Sequence, residues 1–562
     1  MTNIFIHPVG MNPDDILISS GELTENISNP MLTSACLVTG YKLGNADEYL
    51  VSIINGKDVD KLKYGESICI FSPTGSGKTK AVEQIVFTLE KQEKIIILTN
   101  RCACKIQLDK NFLRKYGFKE IPEELMDKLR IIDNIEVMTY QDFVRKKHRY
   151  HGKKLLLICD ECHCFAEDST FSVYPQQMVN FLKCNLENTK RIYLTATPDD
   201  VLPIIWDIEV LSNKKLYPLT KDNFREFLRN APVADETRIR YTYIMKSDWS
   251  YLNFKAYSPD KKEDLVEYIN KSCSDGQKSL IFINDIASGS DLKEQFGNCQ
   301  HIYSAEDKKA ELHEIAVNEK FTSETLITTK VAENGLSLHD EKLSVIVAET
   351  YDPVALQQII GRARVSRRNP REITVLIPDY SLSNLGSIEG KLYMQLKGFR
   401  EVIENPDFAM QYQPQSNPYI YYDAIIKKPV VNYIGYQQLQ KQLEYIQALK
   451  ESEQEEQHAF IRRILNLYNK ATDNIDEIFI DYDTTKVCKQ RILSAWEKFK
   501  DSIRDETALK IIKEELKTAC NETGAYPKEL KSNIQIDTIN DILKFAGITE
   551  HISQGRKIFD IE

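Results

Sequence analysis

The 562-residue chain is poor in turn-formers, with 22 glycines and 19 prolines. That shortage excludes a loop-dominated or collagen-like polypeptide and favours long helices with few structureless connections. No apolar run approaches the roughly 18 residues that a membrane span requires, so contact with a membrane is not expected. The longest runs, such as LLLIC at Leu155–Cys159, have the length of buried strands. The opening MTNIFIHPVG lacks a basic region followed by an apolar stretch, so no secretory signal is expected. An excess of positive charge is missing too: 73 Lys and Arg stand against 83 Asp and Glu, a net charge of −10. This balance argues against a surface that coats nucleic acid electrostatically, and any such binding must be built by positioned residues in a cleft. There is no short-period repeat and no low-complexity tract. The 12 cysteines are scattered, which fits free thiols and a cytoplasmic location.

What remains is an ordinary folded composition, 42% hydrophobic and 28% charged, on a chain too long for one core. At least three domains are expected. Short β-branched or leucine-rich runs alternate with amphipathic helices, the pattern of parallel sheets covered on both faces. Strands are predicted at 67–71, 94–99, 135–140, 155–160 and 191–195, then at 279–283, 301–304, 325–328, 344–348 and 372–377. From about residue 395 long charged helices take over, with QPQSNP at 413–418 as a linker and Leu439, Leu443, Ile446 and Leu449 as one helical stripe.

The sharpest local signal is FSPTGSGKT at Phe71–Thr79, with a strand before it and a helix after it whose Val82, Ile85, Val86 and Leu89 share a face. Gly75 and Gly77 let the backbone curl so that its N–H groups converge on phosphate oxygens, and the helix N-terminus adds its positive end. Lys78 reaches the β- and γ-phosphates and the Thr79 hydroxyl ligates Mg²⁺. Ser72 stands where this loop usually begins with Gly or Ala. The second signal is LLLICDECH at Leu155–His163: a buried strand whose tip carries Asp160 and Glu161 on opposite sides. Asp160 suits Mg²⁺, and Glu161 suits a base for the attacking water.

Together with TAT at Thr195–Thr197, these segments resemble motifs I, II and III of superfamily 2 helicases and translocases. Others follow in family order: ILTNRCACKIQ at 97–107, VMTYQD at 137–142, SLIFIND at 279–285, TLITTKVAENGLSLHD at 325–340 and QQIIGRAR at 357–364. The motif style is most similar to restriction-enzyme translocases and to RIG-I-like and Dicer-type helicases. The resemblance covers roughly 50–380 and implies an α/β fold, with two tandem RecA-like parallel-sheet lobes followed by a mainly α-helical C-terminal region. The expected division is an N-terminal extension at 1–45, lobe 1 at 46–212, lobe 2 with its leading linker at 213–395 and the helical region at 396–562.

The resemblance further implies ATP and Mg²⁺ as cofactors. ATP would be held by Pro73, Thr74, Gly75, Ser76, Gly77, Lys78, Thr79 and Gly335, and the metal by Thr79 and Asp160. Catalysis would fall to Glu161, Lys78, Gln358, Arg362 and Arg364, with Gln358 and Arg362 meeting the γ-phosphate. His163, Thr195 and Thr197 would couple the nucleotide to Arg101, Thr139 and Thr329 on a DNA or RNA backbone. Departures from the pattern are Lys330, where Asp is frequent, and Val365, where many members carry a second arginine. That leaves Arg364 and Arg367 both open as the second finger. No adenine-selecting glutamine motif lies upstream. The implied activity is ATP-driven movement on nucleic acid. The alternative is an ATP-gated clamp or signalling switch, for example in an anti-phage or restriction complex, without strand separation.

Three further features have plainer readings. Cys102, Cys104, Cys159, Cys162 and Cys164 are expected as buried thiols rather than a metal site. Tyr412, Tyr419, Tyr421 and Tyr422 are expected to pin a linker to lobe 2 rather than to stack bases. ESEQEE at 451–456 is expected to be a solvated helical face. At the end of the chain, Asp537 suits a helix N-cap, Gly547 its C′ position, and two short strands follow with Arg556 and Lys557 in their turn. Either this is the end of a winged helix with a phosphate-binding tip, or a small helical subdomain that caps lobe 2 or docks a protein partner.

Overall fold

The computed structural model describes residues 40–44, 49–54, 59–89, 94–100, 105, 108, 134–210, 237–274, 276–303, 309–329, 337–365, 371–406, 417–423, 426–480, 484–500, 506–523, 526, 530, 534–554 and 559–561. The chain forms two compact units, Met1–Thr472 and Asp473–Glu562.

In the larger unit, one sheet comprises β1 (Gly40–Gly44), β2 (Ser67–Phe71), β3 (Ile95–Thr99), β4 (Ile135–Thr139), β5 (Leu155–Cys159), β6 (Thr189–Thr195) and β7 (Ile239–Met245). Their spatial order is β1-β7-β2-β6-β5-β3-β4, and every ladder is parallel. A second parallel sheet holds β8 (Leu252–Tyr257), β9 (Lys278–Phe282), β10 (Cys299–Ile302), β11 (Thr325–Thr328), β12 (Leu343–Ala348) and β13 (Ile373–Pro378), in the order β10-β11-β9-β12-β13-β8. These are two RecA-like lobes. All ten predicted strands are present, each within two residues of its predicted ends. β2, β3 and β5 are buried at every position because helices cover both faces. On the helix Lys78–Leu89, Val82, Ile85, Val86 and Leu89 point into the core with Ile68, Ile70 and Ile97.

The boundaries need correction. β7 pairs with β2, so lobe 1 extends to residue 245 rather than 212. β1 likewise lies inside the expected N-terminal extension and pairs with β7. No boundary falls at 395, since one helix runs through Leu382–Glu404. The smaller hairpin β14 (Ile420–Asp423) with β15 (Lys428–Val431) then leads into the helix Tyr433–Glu455. On that helix Leu439, Ile446 and Leu449 are buried and Leu443 is half-buried. The acidic run is exposed apart from Glu453, whose carboxylate accepts from the His458 and Ala459 amides and so starts the next helix.

This segment binds back onto lobe 1, which corrects the expected anchorage on lobe 2. The Tyr421 hydroxyl accepts from Asn180 Nδ2 at 2.8 Å, and Lys147 pairs with Asp423 at 3.1 Å. Asn432, fully buried, donates to the Ser169, Ser172 and Pro418 carbonyls. Tyr419 packs edge-on against Phe399, while Tyr422 is exposed and Tyr412 lies outside the described residues.

The smaller unit packs the helices Thr484–Phe499, Glu506–Thr523 and Ile536–Phe545 around Trp496, Ile512, Leu516 and Leu543. The last helix is capped by the backbone of Gln535, and Asp537 lies in its first turn instead of at the cap. It ends as predicted at Gly547, φ +84°, where Ile548 N bonds Leu543 O and Gly547 N bonds Lys544 O. The antiparallel pair β16 (Ile552–Gln554) and β17 (Phe559–Ile561) follows, clamped to the helix by the Asn540 carboxamide on Ile552. The described residues of this unit thus include three α-helices and a hairpin; the turn with Arg556 and Lys557 lies outside the described residues. Among the described residues no helix is long and apolar enough to cross a membrane.

Candidate active site

The strand order makes the site. β2, β6 and β5 are neighbours, so their carboxyl ends place the 72–79 loop, Thr195–Thr197 and Asp160–His163 side by side. In the loop Gly75 and Gly77 adopt φ +80° and +92°, open to glycine at little steric cost. Ser72 and Ser76 bond each other through their hydroxyls, and Ser76 O accepts from Leu50 N. Lys78, 9% exposed, donates to Ser72 O at 3.1 Å along the inner face of the loop. Burial lowers its pKa, and the nearby Glu161 and Asp160 act in the opposite direction. Thr79 is half-buried at the start of the helix.

Asp160 N bonds Leu98 O, and the Tyr140 hydroxyl donates to Asp160 O, so the pair is held to the sheet. Burial, then the adjacent Glu161 charge, raises the Asp160 pKa. Glu161 is half-buried, and although desolvation works against its charge, Lys78, His163, Arg362 and Arg364 hold its carboxyl below the usual range, so it remains the ionised partner. Glu161 has φ +51°, left-handed backbone that costs a side-chain-bearing residue roughly 1–2 kcal/mol. Strain of this kind persists only where the surroundings impose it.

From Glu161 a chain of contacts leads away. His163 Nδ1 lies 3.4 Å from Glu161 Oε2 and 3.1 Å from Thr195 Oγ1. Thr197 N donates to Thr195 Oγ1 at 3.0 Å. Across the cleft, Gln358 Nε2 donates to Thr197 Oγ1 at 2.9 Å and to Glu167 Oε1 at 3.0 Å, and Gln357 Nε2 reaches Ala196 O at 3.4 Å. Both N–H groups of Gln358 are thus engaged by lobe 1 side chains.

The helix Pro353–Ile360 brings these glutamines, with Asp352 capping Val354 N and Pro353 at its first position. It ends at Gly361, where a Cβ would lie 2.4 Å from Thr74 Oγ1; here the two lobes touch. Arg362, 3% exposed, donates from Nε to Gln358 O. Arg364 is held by Ser337 Oγ at 2.7 Å and passes within 3.9 Å of a Cβ built on Gly75. A backbone bridge between Leu338 and Ala363 fixes it there. Arg364 therefore faces the phosphate loop; Arg367, Arg101 and Gly335 lie outside the described residues.

Thr139 sits at the carboxyl end of β4 and is 5% exposed, where its hydroxyl caps the helix Tyr140–Lys146 by accepting from Asp142 N. Thr329 is half-buried beyond β11, on the corresponding edge of lobe 2. Cys159, Cys162 and Cys164 are fully buried in the lobe 1 core, and burial pushes Cys159 up to about 12. Cys102 and Cys104 lie outside the described residues. Two residues near the site are absent from the motif reading. Tyr49, an exposed ring, lies 3.7 Å from a Cβ built on Gly77, with no local pattern to announce it. Glu167 could have been found from its i+4 spacing to His163.

Two family models match the sequence: type III restriction enzyme, res subunit, over residues 45–200, and helicase conserved C-terminal domain over 260–366. No curated protein matches it. Solved structures with some likeness include the Mycobacterium smegmatis helicase Lhr bound to ssDNA and AMP-PNP, at 12% identity over 77% of this chain, with TM-score 0.40. This chain spans 62% of that Lhr chain. S. cerevisiae Dbp5 bound to RNA and ADP BeF3 is 14% identical over 58% of this chain and 83% of its own, with TM-score 0.39. The Pyrococcus furiosus Hef helicase domain is 13% identical over 58% and 95%, with TM-score 0.30. The first family model spans the phosphate loop, the acidic pair and TAT; the second spans β9 to Arg364. One model per lobe, in sequence order and over the expected motifs, supports a superfamily 2 helicase or translocase.

Proposed function

We propose that the chain hydrolyses ATP in the cleft between its lobes and uses the cycle to move along DNA or RNA. The observation that carries this is the meeting of half-sites: Gln358, Gly361, Arg362 and Arg364 of lobe 2 lie against Thr197, Glu167, Thr74 and the phosphate loop of lobe 1. In this reading Pro73–Thr79 cradle the phosphates and Lys78 turns from Ser72 O towards them. Gly335 is assigned to the nucleotide in the same reading. Glu161, kept ionised by Lys78, His163, Arg362 and Arg364, takes the proton of the attacking water. Arg362 and Arg364 place positive charge on the transferring phosphoryl group only while the lobes are closed. Gln358 senses the same closure through Thr197.

The residues also fit Mg²⁺. Asp160 and Thr79 are hard oxygen donors, and the crowding that raises the Asp160 pKa is relieved by a cation. No group of three or more candidate ligands occurs among the described residues, which suits a metal that shares its shell with substrate phosphates. When bound, Mg²⁺ supplies charge neutralisation at the phosphates.

Arg101, Thr139 and Thr329 are assigned to the nucleic-acid backbone, and the smaller unit to a further nucleic-acid or protein partner. Thr139 ends β4 and Thr329 follows β11, both at the carboxyl edge of their sheets, the edge that carries the phosphate loop in lobe 1. The test is steady-state ATP hydrolysis with and without single- and double-stranded DNA and RNA. Stimulation by one of them is expected, and hydrolysis indifferent to all four would overturn the reading. Strand displacement in the same assay separates a helicase from a translocase or clamp.

A further inference from the structure

We infer that Glu167 is a positioning residue of the hydrolytic cycle, one that sets the orientation of the Gln358 amide and links it to His163. This inference rests on the ATPase reading above. Glu167 closes the short helix Cys164–Glu167, in which Cys164, Phe165 and Ala166 are fully buried. Its own carboxylate is 11% exposed. An acid in such a wall is costly unless its oxygens are hydrogen-bonded. Here one oxygen crosses to the other lobe: Oε1 accepts from Gln358 Nε2 at 3.0 Å, a residue 191 positions away. The other faces inward, with Oε2 at 3.7 Å from His163 Nε2, as the i+4 spacing on a helical turn allows.

The chemistry of the three groups makes the arrangement directional. An ionised carboxylate only accepts hydrogen bonds, so it demands the NH₂ end of the Gln358 amide. That choice aims the second N–H at Thr197 Oγ1, 2.9 Å away. Without the carboxylate, the amide can turn its oxygen to Thr197 and accept a hydrogen bond from that hydroxyl instead. The His163 ring is meanwhile bracketed by two acids, Glu161 at Nδ1 and Glu167 at Nε2. Closure of lobe 2 thus reaches the neighbourhood of the hydrolytic base by two routes, through Thr197 and Thr195 and through Glu167. The second route runs through this chain's DECHCFAE segment at 160–167.

The test uses the full chain, with ATPase kinetics at saturating amounts of whichever nucleic acid stimulates the parent. Glu167→Ala is expected to lower kcat roughly tenfold or more, the scale on which supporting partners of an active site act. KM for ATP should stay within about twofold, because ground-state binding is untouched. In a cycle with Gln358→Ala, the double variant should be no slower than the slower single one. Isosteric Glu167→Gln still accepts from Gln358 but removes the charge beside His163, and a severalfold fall in kcat is expected. A purely structural role would lower thermal stability and leave kcat per folded molecule unchanged. Parental kcat in Glu167→Gln, or losses that multiply in the cycle, would overturn the proposal; should Glu167→Ala not fold, Glu167→Gln decides alone. A parent chain that hydrolyses no ATP overturns the ATPase reading itself, whereas a stimulated parent with unaffected variants overturns only this inference.

Discussion

Gly361→Ala tests whether the two half-sites must touch. Gly361 has φ −64°, a conformation alanine adopts freely, so the backbone of lobe 2 does not object. Space does. The added carbon would lie 2.4 Å from Thr74 Oγ1, 2.6 Å from Thr74 Cγ2 and 2.9 Å from Thr74 Cβ, against 3.4 Å or more in ordinary contact. Relief requires the lobes to part locally by about 1 Å, and misplacement on that scale costs about 10²-fold in rate. Arg362 follows Gly361 directly, so it withdraws with the displaced segment. The expected outcome is a kcat for ATP hydrolysis lowered about 10²-fold, with nucleotide binding, followed by a fluorescent analogue, largely kept. The unfolding midpoint should stay near the parent's, since each lobe keeps its own core. Thr74→Gly in the same chain removes all three clashing atoms and should recover part of the rate. Unchanged kcat in Gly361→Ala would refute the reasoning, because hydrolysis would then proceed without this contact.

Three further outcomes follow from the same geometry. Glu161→Gln should retain ATP and nucleic-acid binding yet abolish turnover, whereas Lys78→Ala should weaken nucleotide binding itself; equilibrium binding and hydrolysis on both variants check this. Arg364→Ala should slow hydrolysis about 10²-fold or more, as for loss of one preorganised donor, while Arg367→Ala leaves the rate near the parent's. Ending the chain after Thr472 should leave basal hydrolysis within about twofold of the parent and reduce nucleic-acid affinity, with a shallower dependence of log affinity on log salt. Residue 472 is the place to cut, because removal of 530–562 alone strips Leu530, Ile534, Ile539, Ile542 and Leu543 from the core of the smaller unit.

Much of the fold was legible because buried parallel strands are short continuous apolar runs. ICI within β2 and LLLI within β5 read as strands with no knowledge of their partners. β7 did not, and its sequence IRYTYIM explains why: polar and aromatic residues alternate irregularly, and two of its positions are half-buried. Its partner β2 lies some 170 residues earlier, so nothing local marks it as the strand that completes lobe 1. The site was legible wherever chemistry forces a residue type, as in Gly75, Gly77, Lys78 and the acidic pair. It was not legible where tertiary placement decides. The left-handed backbone of Glu161 and the anchorage of Tyr421 on Asn180 leave no trace in spacing. Thr139 shows the converse: a motif position whose hydroxyl serves as a helix cap, a role with an ordinary local signature in the Asp142 three residues later.

The central claim is that one active site is assembled from both lobes, and Arg362→Ala tests it most directly. The measurement is ATP hydrolysis by parent and variant under saturating nucleic acid, with nucleotide affinity determined on the same samples. Arg362 donates to Gln358 O within lobe 2 while its charge acts on Glu161 of lobe 1. The expected result is intact nucleotide binding and hydrolysis slowed about 10³–10⁵-fold, the range for arginine fingers. A variant that binds nucleotide and hydrolyses it within about tenfold of the parent would contradict the claim.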